Sequence, residues 1–400
     1  MSTPLFHAEL LSNIRSITTS IHLPSPSNPS TKLTRLTPSQ LQLCHDGETT
    51  TLNLPANVTL AAITLFEKSR IILGETKLSY RLPVAPESCP ESRTASENYV
   101  PWSAVSLSTS TKKVSLRCKS CSSELVPEKT IDTWKDLPSG NWADMMDFWH
   151  CHKPETESTQ TNAGDRYTGL QRGYAAVNGT GLVELTYFLI ARGNCGSAVE
   201  KVEKWASADS ENMKSTTARD GYTRLGCSNC KSALGVIDTD GENVRGWRLN
   251  KWNVKLQLSA NGMCEEYSYP IAPFLSAQLL AFAEGEGIRR LIVFCDDDEE
   301  TSRLKMWLFN ADIRYTNSTT RRPIRAVKVF YQEVGFEDGE GVGQGTSLAN
   351  GGFEEVRLMR EMVKGLRAEL KQSTNGLLEE LAQFKEWKVG VLQRFEPESV

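Results

Sequence analysis

The chain has 400 residues, of which 39% are hydrophobic and 24% charged, the composition of a globular protein with two or three domains. Its formal net charge of −4 argues against nucleic acid as the main partner, because phosphate binding needs concentrated lysine and arginine. No window approaches about 18 consecutive apolar residues, and no basic stretch precedes an apolar run at the amino terminus. We therefore expect no membrane span and no signal peptide. We expect a cytoplasmic or nuclear protein whose ten cysteines are free thiols or metal ligands.

The amino-terminal region, residues 1–110, is predicted to be rich in β-strand. Residues 23–40 contain many serines, threonines and prolines and are predicted to form a long loop. The short β-branched runs at residues 51–66 and 77–84 are typical of strands.

The central region, residues 111–260, contains strand-like runs at 112–118, 181–194 and 246–258. The last run places hydrophobic residues at every second position from Trp252, which indicates one strand with a buried face. This region also carries the cysteine pairs and histidines discussed below.

The region that follows, residues 261–335, is predicted to mix helix and strand. Residues 272–285 form a helix candidate that glycines would end, and residues 289–295 and 305–316 are predicted strands. Residues 336–353 are rich in glycine and are predicted to be a flexible linker.

A helical tail is predicted for residues 354–400, because apolar residues recur there at helical spacing in two runs. The residues of the first run are Val356, Met359, Val363, Leu366 and Leu370, and those of the second are Leu377, Leu381, Phe384, Val391 and Phe395.

Two cysteine pairs, Cys118/Cys121 and Cys227/Cys230, share the pattern C-x-x-C-x-S-x-L, and each follows a strand-like run. Two residues between the cysteines let both sulfur atoms face one ion, so the pairs together supply four thiolates to a tetrahedral zinc with no open position. Redox-active pairs or unrelated buried thiols are the alternatives, although neither pair begins a helix as a thioredoxin-like pair would. We predict one structural zinc ion, which contributes roughly 10–16 kcal/mol at neutral pH.

The predicted fold is α+β and rich in β-strand. Antiparallel strands surround the two cysteine knuckles that hold the zinc, and helices are concentrated toward the carboxyl terminus.

The stretch "MMDFWHCHKP", residues 145–154, brings His150, Cys151 and His152 together. These residues allow a metal site shared with the first cysteine pair, or a nucleophilic Cys151 whose pKa a neighbouring histidine lowers. They also allow simple packing at the end of a helix over residues 134–149, which is rich in tryptophan and methionine. The sequence pattern leaves these three interpretations open.

Several stretches together resemble the HECT-like proteins that bind ubiquitin-conjugating enzymes, from about residue 110 to the end. They are "LRCKSC", "WKDLPSGNWADMMDFWHCHKP", "RLGCSNCKSALG", "LKMWLFNADIRYT" and "FKEWKVGVLQRF". The resemblance implies a ubiquitin-protein ligase whose partners are a charged ubiquitin-conjugating enzyme, ubiquitin and a protein substrate, with cyclins as one substrate class. It also implies that the Cys–His element matching Cys151 and His152 restrains self-modification, which makes these two residues candidates for a catalytic or regulatory role.

The chain departs from a true HECT ligase in one respect. Such a ligase carries ubiquitin as a thioester on a cysteine close to its carboxyl terminus, whereas residues 296–400 contain no cysteine. Either an upstream thiol (Cys151, Cys264 or Cys295) carries ubiquitin, or the protein only positions the charged conjugating enzyme. A hypothesis of another class is a non-catalytic, zinc-stapled binding module or chaperone-like adaptor for one protein client, with the tail as its docking element.

Overall fold

Short strands make up most of the fold. The computed structural model describes residues 3–59, 71–85, 98–109, 113–137, 174–202, 223–295, 302–320, 322–335 and 352–397. The strands are β1 (Leu5–Leu11), β2 (Ser16–His22), β3 (Lys32–Thr37), β4 (Gln40–His45), β5 (Glu48–Asn53), β6 (Lys77–Pro83), β7 (Lys113–Cys118), β8 (Glu124–Val126), β9 (Ile131–Asp136), β10 (Gly179–Val183), β11 (Tyr187–Ile190), β12 (Val199–Val202), β13 (Arg224–Cys227), β14 (Ala233–Asp240), β15 (Asn243–Asn250), β16 (Val254–Ala260), β17 (Met263–Tyr267), β18 (Arg290–Phe294), β19 (Ser302–Asn317), β20 (Ile324–Gly335), β21 (Glu354–Arg357), β22 (Gln383–Phe384) and β23 (Trp387–Gln393). The α-helices are α1 (Ala104–Thr109), α2 (Ile271–Glu286) and α3 (Arg360–Asn375).

The chain divides into two compact units. Unit 1 combines Met1–Tyr99 with Leu275–Val400, and unit 2 is Val100–Phe274. Unit 1 therefore joins both ends of the chain, and unit 2 is a continuous segment between them.

Unit 1 is built on a nine-stranded sheet. Along its main path the strand order is β22-β23-β20-β19-β1-β2-β6, and β18 pairs with both β19 and β21. The long strand β19 pairs with β18 through its first half and with β1 through its second half. The sheet thus joins strands from the two ends of the sequence, with His7 opposite Asn317.

The core of unit 1 lies between this sheet and a three-stranded sheet of order β3-β4-β5. Alternate residues of β4 are buried, as period-two patterning requires. Buried residues from both sheets form one hydrophobic cluster, which includes Phe6, Ile17, Leu41, Leu43 and Leu52.

Unit 2 contains two sheets. One has seven strands in the order β12-β13-β14-β15-β11-β10-β9, and the other has four strands in the order β17-β16-β7-β8. Pairing in both sheets is antiparallel except between β9 and β10. The predicted fold class, a β-rich α+β protein with antiparallel strands around the cysteine knuckles, is confirmed.

The structure differs from the predicted helical tail over its second half. Helix α3 contains Val363, Leu366 and Leu370 of the first apolar run, but Val356 of that run lies in β21. The second run contains β22 and β23 in place of a helix. Strand β23 pairs along β20, and a side-chain Cβ at Gly390 would lie 2.9 Å from Leu370 Cδ2, on α3. Val389 and Val391 favour the strand, and the close approach of Leu370 on α3 favours glycine between them.

Two other predicted elements also differ in extent. The second half of the predicted loop, residues 23–40, forms strand β3, whose pairing with β4 buries Leu33. The predicted strand over residues 246–258 is two strands, β15 and β16, separated by a 3-10 turn at Lys251–Asn253. The break exists because β15 pairs within the seven-stranded sheet and β16 within the four-stranded sheet.

Parts of the sequence interpretation lie outside the described residues. Residues 336–351 of the predicted linker and residues 138–149 of the predicted tryptophan-rich helix are among them, whereas Trp134 lies in strand β9. Within the described ranges, none of the helices is both long enough and apolar enough to span a bilayer.

Candidate metal centre

The first cysteine knuckle, residues 118–125, begins where β7 ends. The N–H of Cys118 donates to the carbonyl of Ser123 (2.8 Å), and the N–H of Ser122 donates to the carbonyl of Cys118 (2.9 Å). Ser122 has a φ of 61°, in the left-handed region, which reverses the chain tightly after Cys121. The knuckle is therefore a closed turn with its two sulfur atoms on one side.

The second knuckle, residues 227–234, begins where β13 ends and has the same hydrogen bonds. The N–H of Cys227 donates to the carbonyl of Ser232 (2.9 Å), and the N–H of Lys231 donates to the carbonyl of Cys227 (2.8 Å). Lys231 also has a φ of 61°. The shared pattern C-x-x-C-x-S-x-L thus specifies one backbone geometry at two places in the chain.

The two knuckles bring their four sulfur atoms together. All four lie within 4.8 Å of one another, and the Sγ atoms of Cys118 and Cys230 are 3.6 Å apart, as are those of Cys121 and Cys227. These separations are much longer than a disulfide bond of about 2.05 Å. They are close to the roughly 3.8 Å between thiolates that each lie about 2.3 Å from one tetrahedral ion. The cluster is therefore compatible with a single bound metal ion.

The sulfur atoms differ in their surroundings, and their acidities differ accordingly. Burial raises the pKa of the Cys118 thiol to about 12, because a buried thiolate loses its hydration. Hydrogen bonds from Ser123, above all from its hydroxyl at 3.1 Å, lower the pKa of Cys121 to about 6. The hydroxyl of Ser232, also at 3.1 Å, lowers the pKa of Cys230 in the same way. Cys121 and Cys230, the second cysteine of each knuckle, thus favour the thiolate, the form that binds metal ions.

Sequence reasoning noted Ser123 and Ser232 as part of the repeated pattern but assigned them no role. The structure gives them one, since each hydroxyl donates to the second sulfur atom of its own knuckle. The amide of Asn229 adds a bond between the knuckles, because its Nδ2 donates to the Ser123 hydroxyl over 3.0 Å. The serine repeated in both patterns could have indicated the role of Ser123 and Ser232, whereas no local pattern indicated that of Asn229.

The position of the cluster explains what an ion would do there. Cys118 lies opposite Val254 in the four-stranded sheet, and Cys227 lies opposite Val199 at one side of the seven-stranded sheet. An ion held by both knuckles would link the two sheets of unit 2 directly. All four ligand positions would be filled by sulfur, so the centre has no open position for a substrate.

The described cluster contains only the four predicted zinc ligands. Cys151 and His152, the predicted catalytic or regulatory pair, lie outside the described residues, as does His150. Cys264 is an exposed thiol on β17, and Cys295 is buried at the end of β18.

Two relatives have similar sequences. An uncharacterized protein of Saccharomyces cerevisiae is 25% identical over 217 residues, which are 54% of this chain and 52% of that protein. An uncharacterized protein of Schizosaccharomyces pombe is 44% identical over 66 residues, which are 16% of this chain and 19% of that protein. The matched region thus spans about half of the first relative and less of the second. No solved structure matches this chain.

The family comparison covers far more of the chain than either relative does. The match extends over residues 9–389 and includes both knuckles, the whole of unit 2 and the strands of unit 1, except for the first part of β1 and the last part of β23. The chain belongs to the HECT-like ubiquitin-conjugating enzyme (E2)-binding family.

Proposed function

We propose that this protein is a ubiquitin-protein ligase that binds a ubiquitin-charged conjugating enzyme and promotes transfer of ubiquitin to a protein substrate. The observation that carries the proposal is the family match, which spans residues 9–389 and whose description is binding of the conjugating enzyme. Binding of this kind accelerates transfer by holding the thioester and an acceptor lysine in reactive geometry.

A structural zinc in unit 2 is part of the proposal, with Cys118, Cys121, Cys227 and Cys230 as its ligands. A donor set of four thiolates suits zinc or an iron–sulfur centre among the metals common in proteins. Sulfur atoms that all lie within 4.8 Å of one another fit a single ion better than a cluster of several irons. Bound zinc supplies a cross-link between the two sheets and no reaction chemistry, because it is saturated by sulfur.

Two of the four described thiols outside the cluster, Cys195 and Cys295, are poorly suited to covalent transfer, which favours positioning. A thioester carrier must be an accessible thiolate. Burial raises the pKa of Cys195 to about 12, and Cys295 is only 8% exposed. Cys264 is exposed on a hairpin, with its sulfur atom 3.6 Å from the Ser259 hydroxyl. We therefore infer that the protein aligns its partner, and Cys151, Cys264 and the partly exposed Cys44 are the thiols to test for a covalent step.

A single-turnover assay tests this function. The full chain is mixed with conjugating enzymes carrying thioester-linked ubiquitin and with free lysine, quenched within seconds, and run on nonreducing gels with and without thiol. Faster discharge with no adduct on this chain is the expected result. A thiol-sensitive ubiquitin adduct on this chain would mean that transfer is covalent. The variants Cys264→Ser and Cys151→Ala would then show which cysteine carries ubiquitin.

The same assay separates the ligase from a client-binding adaptor. No acceleration with any of several conjugating enzymes, in a protein that still binds them, would leave a binding module as the better interpretation. Repeating the assay with a purified cyclin as acceptor tests the substrate class. Faster self-modification by Cys151→Ala than by the unaltered chain is expected if the Cys151–His152 element restrains it.

A further inference from the structure

A group of aromatic rings lies on one face of the nine-stranded sheet of unit 1. Trp307 is directly opposite Phe330 in the pairing of β19 with β20, and Phe384 is opposite Trp387 in the pairing of β22 with β23. Two further rings, Phe309 and Phe353, complete this group, which we call the aromatic face. The neighbour of Phe330 in the strand, Tyr331, has the opposite orientation and hydrogen-bonds Thr374 of α3 (2.9 Å), so α3 packs on the other side of the sheet.

Three of these rings form a continuous stack with exposed ends. Phe309 stacks on Phe330 at a centroid distance of 4.5 Å, and Phe330 stacks on Phe384 at 5.1 Å. Trp307 meets Phe309 and Phe330 edge-on at 5.3 and 5.6 Å. Phe309 is 46% exposed and Phe384 is 48% exposed, whereas Phe330 between them is buried. Exposed aromatic rings that belong to one packed group are typical of an interaction surface.

Cationic side chains lie over the same group of rings. The guanidinium of Arg290 is 5.3 Å from the Trp307 ring centroid, and the ammonium of Lys305 is 4.5 Å from that of Phe353. Lys385 lies 5.9 Å from the Phe384 ring. No described carboxylate forms an ion pair with these three cations, although Glu355, farther along the face, pairs with Arg303. The aromatic face thus has positive charge that its described neighbours do not neutralise.

This combination favours an anionic partner with apolar side chains. A carboxylate placed beside Arg290 or Lys305 gains a charge-assisted hydrogen bond, and an adjacent apolar side chain covers the exposed Phe309 or Phe384. Nucleic acid fits less well, because single-stranded bases stack on free aromatic faces and here cations already lie over several of the rings.

We propose that the aromatic face docks an acidic segment of a partner protein in which carboxylates alternate with leucine or aromatic side chains. The assignment of that partner as the ubiquitination substrate rests on the proposed function, whereas the docking does not, because binding can be measured without ubiquitin transfer. If the transfer assay fails while peptide binding succeeds, only the ligase activity is refuted.

The test is fluorescence polarisation with a labelled peptide that alternates glutamate with leucine and phenylalanine. Two control peptides carry lysine in place of glutamate, or alanine in place of the apolar residues. The full chain is expected to bind the first peptide, to lose that binding at high salt, and to bind both controls at least about tenfold more weakly.

Charge-reversed Lys305→Glu and polar Phe309→Ser are each expected to weaken peptide binding at least about tenfold. Both side chains project from a strand surface, so folding is checked by circular dichroism. Matched controls are Lys32→Glu, an exposed cation elsewhere in unit 1, and Met263→Ala, an exposed apolar residue of unit 2. Unchanged binding by both aromatic-face variants would overturn the proposal. Displacement of the peptide by an equal concentration of single-stranded RNA would overturn it in favour of a nucleic-acid platform.

Discussion

The two cysteine knuckles have the same residue pattern and the same backbone hydrogen bonds, yet their surroundings differ. The first knuckle receives three side-chain contacts: from Lys255 Nζ to the Ser122 hydroxyl (3.0 Å), from Arg117 to the Ser122 carbonyl (3.2 Å) and from Asn229 to Ser123. The second knuckle has an exposed ion pair between Lys231 and Glu200 (2.7 Å) and a hydrogen bond from the Ser228 hydroxyl to the Ser197 carbonyl (3.2 Å). Surface ion pairs contribute only about 0–1 kcal/mol. An identical local motif therefore gives identical geometry, but neighbouring strands decide how firmly each copy is held.

The comparison also separates the inner cysteines from the outer ones. Cys118 and Cys227 end their strands and are fully buried, whereas Cys121 and Cys230 follow the turn and lie nearer to solvent. The raised pKa of Cys118 means that this thiol needs a bound ion to become thiolate, whereas Cys121 and Cys230 have hydroxyl groups that favour the thiolate without one.

Loss of an inner ligand should have the largest effect on metal binding and on the folding of unit 2. Cys227→Ser leaves three thiolates and is expected to abolish metal binding and unfold unit 2, because binding worth roughly 10–16 kcal/mol is lost. Mass spectrometry measures the metal content, and the near-ultraviolet circular dichroism spectrum measures whether the protein is folded. Cys264→Ser, which alters an exposed thiol outside the cluster, should keep the ion and the fold. A folded Cys227→Ser protein without metal would refute the structural role of the site.

Inner and outer ligands should differ in what remains after the ion is lost. Cys118 is buried, so the new hydroxyl of Cys118→Ser is cut off from water. Cys121 is partly exposed, so the new hydroxyl of Cys121→Ser can be hydrated. We expect Cys118→Ser to be less stable by about 1–3 kcal/mol, the usual cost of burying an unsatisfied polar group. Because loss of the ion is expected to unfold unit 2 in both variants, urea unfolding is compared in a stabilising osmolyte, which restores the folded state of each. Equal midpoints would show that the inner and outer positions are equivalent.

The serine hydroxyls should set the pH at which the ion is lost. The lowered pKa of Cys121 keeps its thiolate present as the pH falls, until the pH passes through about 6. Ser123→Ala removes the main cause of that lowering, so a proton competes with the ion at higher pH. We expect metal affinity at neutral pH to fall about tenfold and the midpoint of metal loss on acidification to move upward.

Ser232→Ala is the matched variant in the second knuckle, where the hydroxyl also lowers the pKa of the outer cysteine. The same upward shift is expected, measured by release of the ion to a chromogenic chelator across a pH series. Unchanged midpoints in both variants would contradict the role given to the hydroxyls.

Loss of the hydrogen bond from Asn229 to Ser123, which joins the two knuckles, should have the smallest effect on stability. Asn229→Ala removes one exposed hydrogen bond to Ser123 and is expected to lower the free energy of unfolding by about 0.5–1 kcal/mol. Ser120→Ala, at the equivalent position of the first knuckle, is the control and should change it less. A larger loss of unfolding free energy in Ser120→Ala would contradict the conclusion that Asn229 of the second knuckle stabilises the first.

Local patterns predicted much of the secondary structure and the ligand set. Period-two and β-branched runs located strands such as β7, β18 and β19, and apolar spacing located α2 and α3. The interpretation was wrong where two periods fitted the same residues. Leu377 to Phe395 fit a helical stripe, but Val389 and Val391 also alternate, and pairing with β20 selected the strand.

The sequence by itself determined the two knuckles, because each needs only eight consecutive residues with a left-handed turn and a following serine. Tertiary structure alone decided that β1 pairs with β19, and that six aromatic residues distant in sequence share one face with cations that pair with no described carboxylate. It also brings the two knuckles together, as their shared pattern predicted. These contacts join residues tens to hundreds of positions apart. Their formation depends on burial and strand register across whole sheets, which no local window of sequence contains.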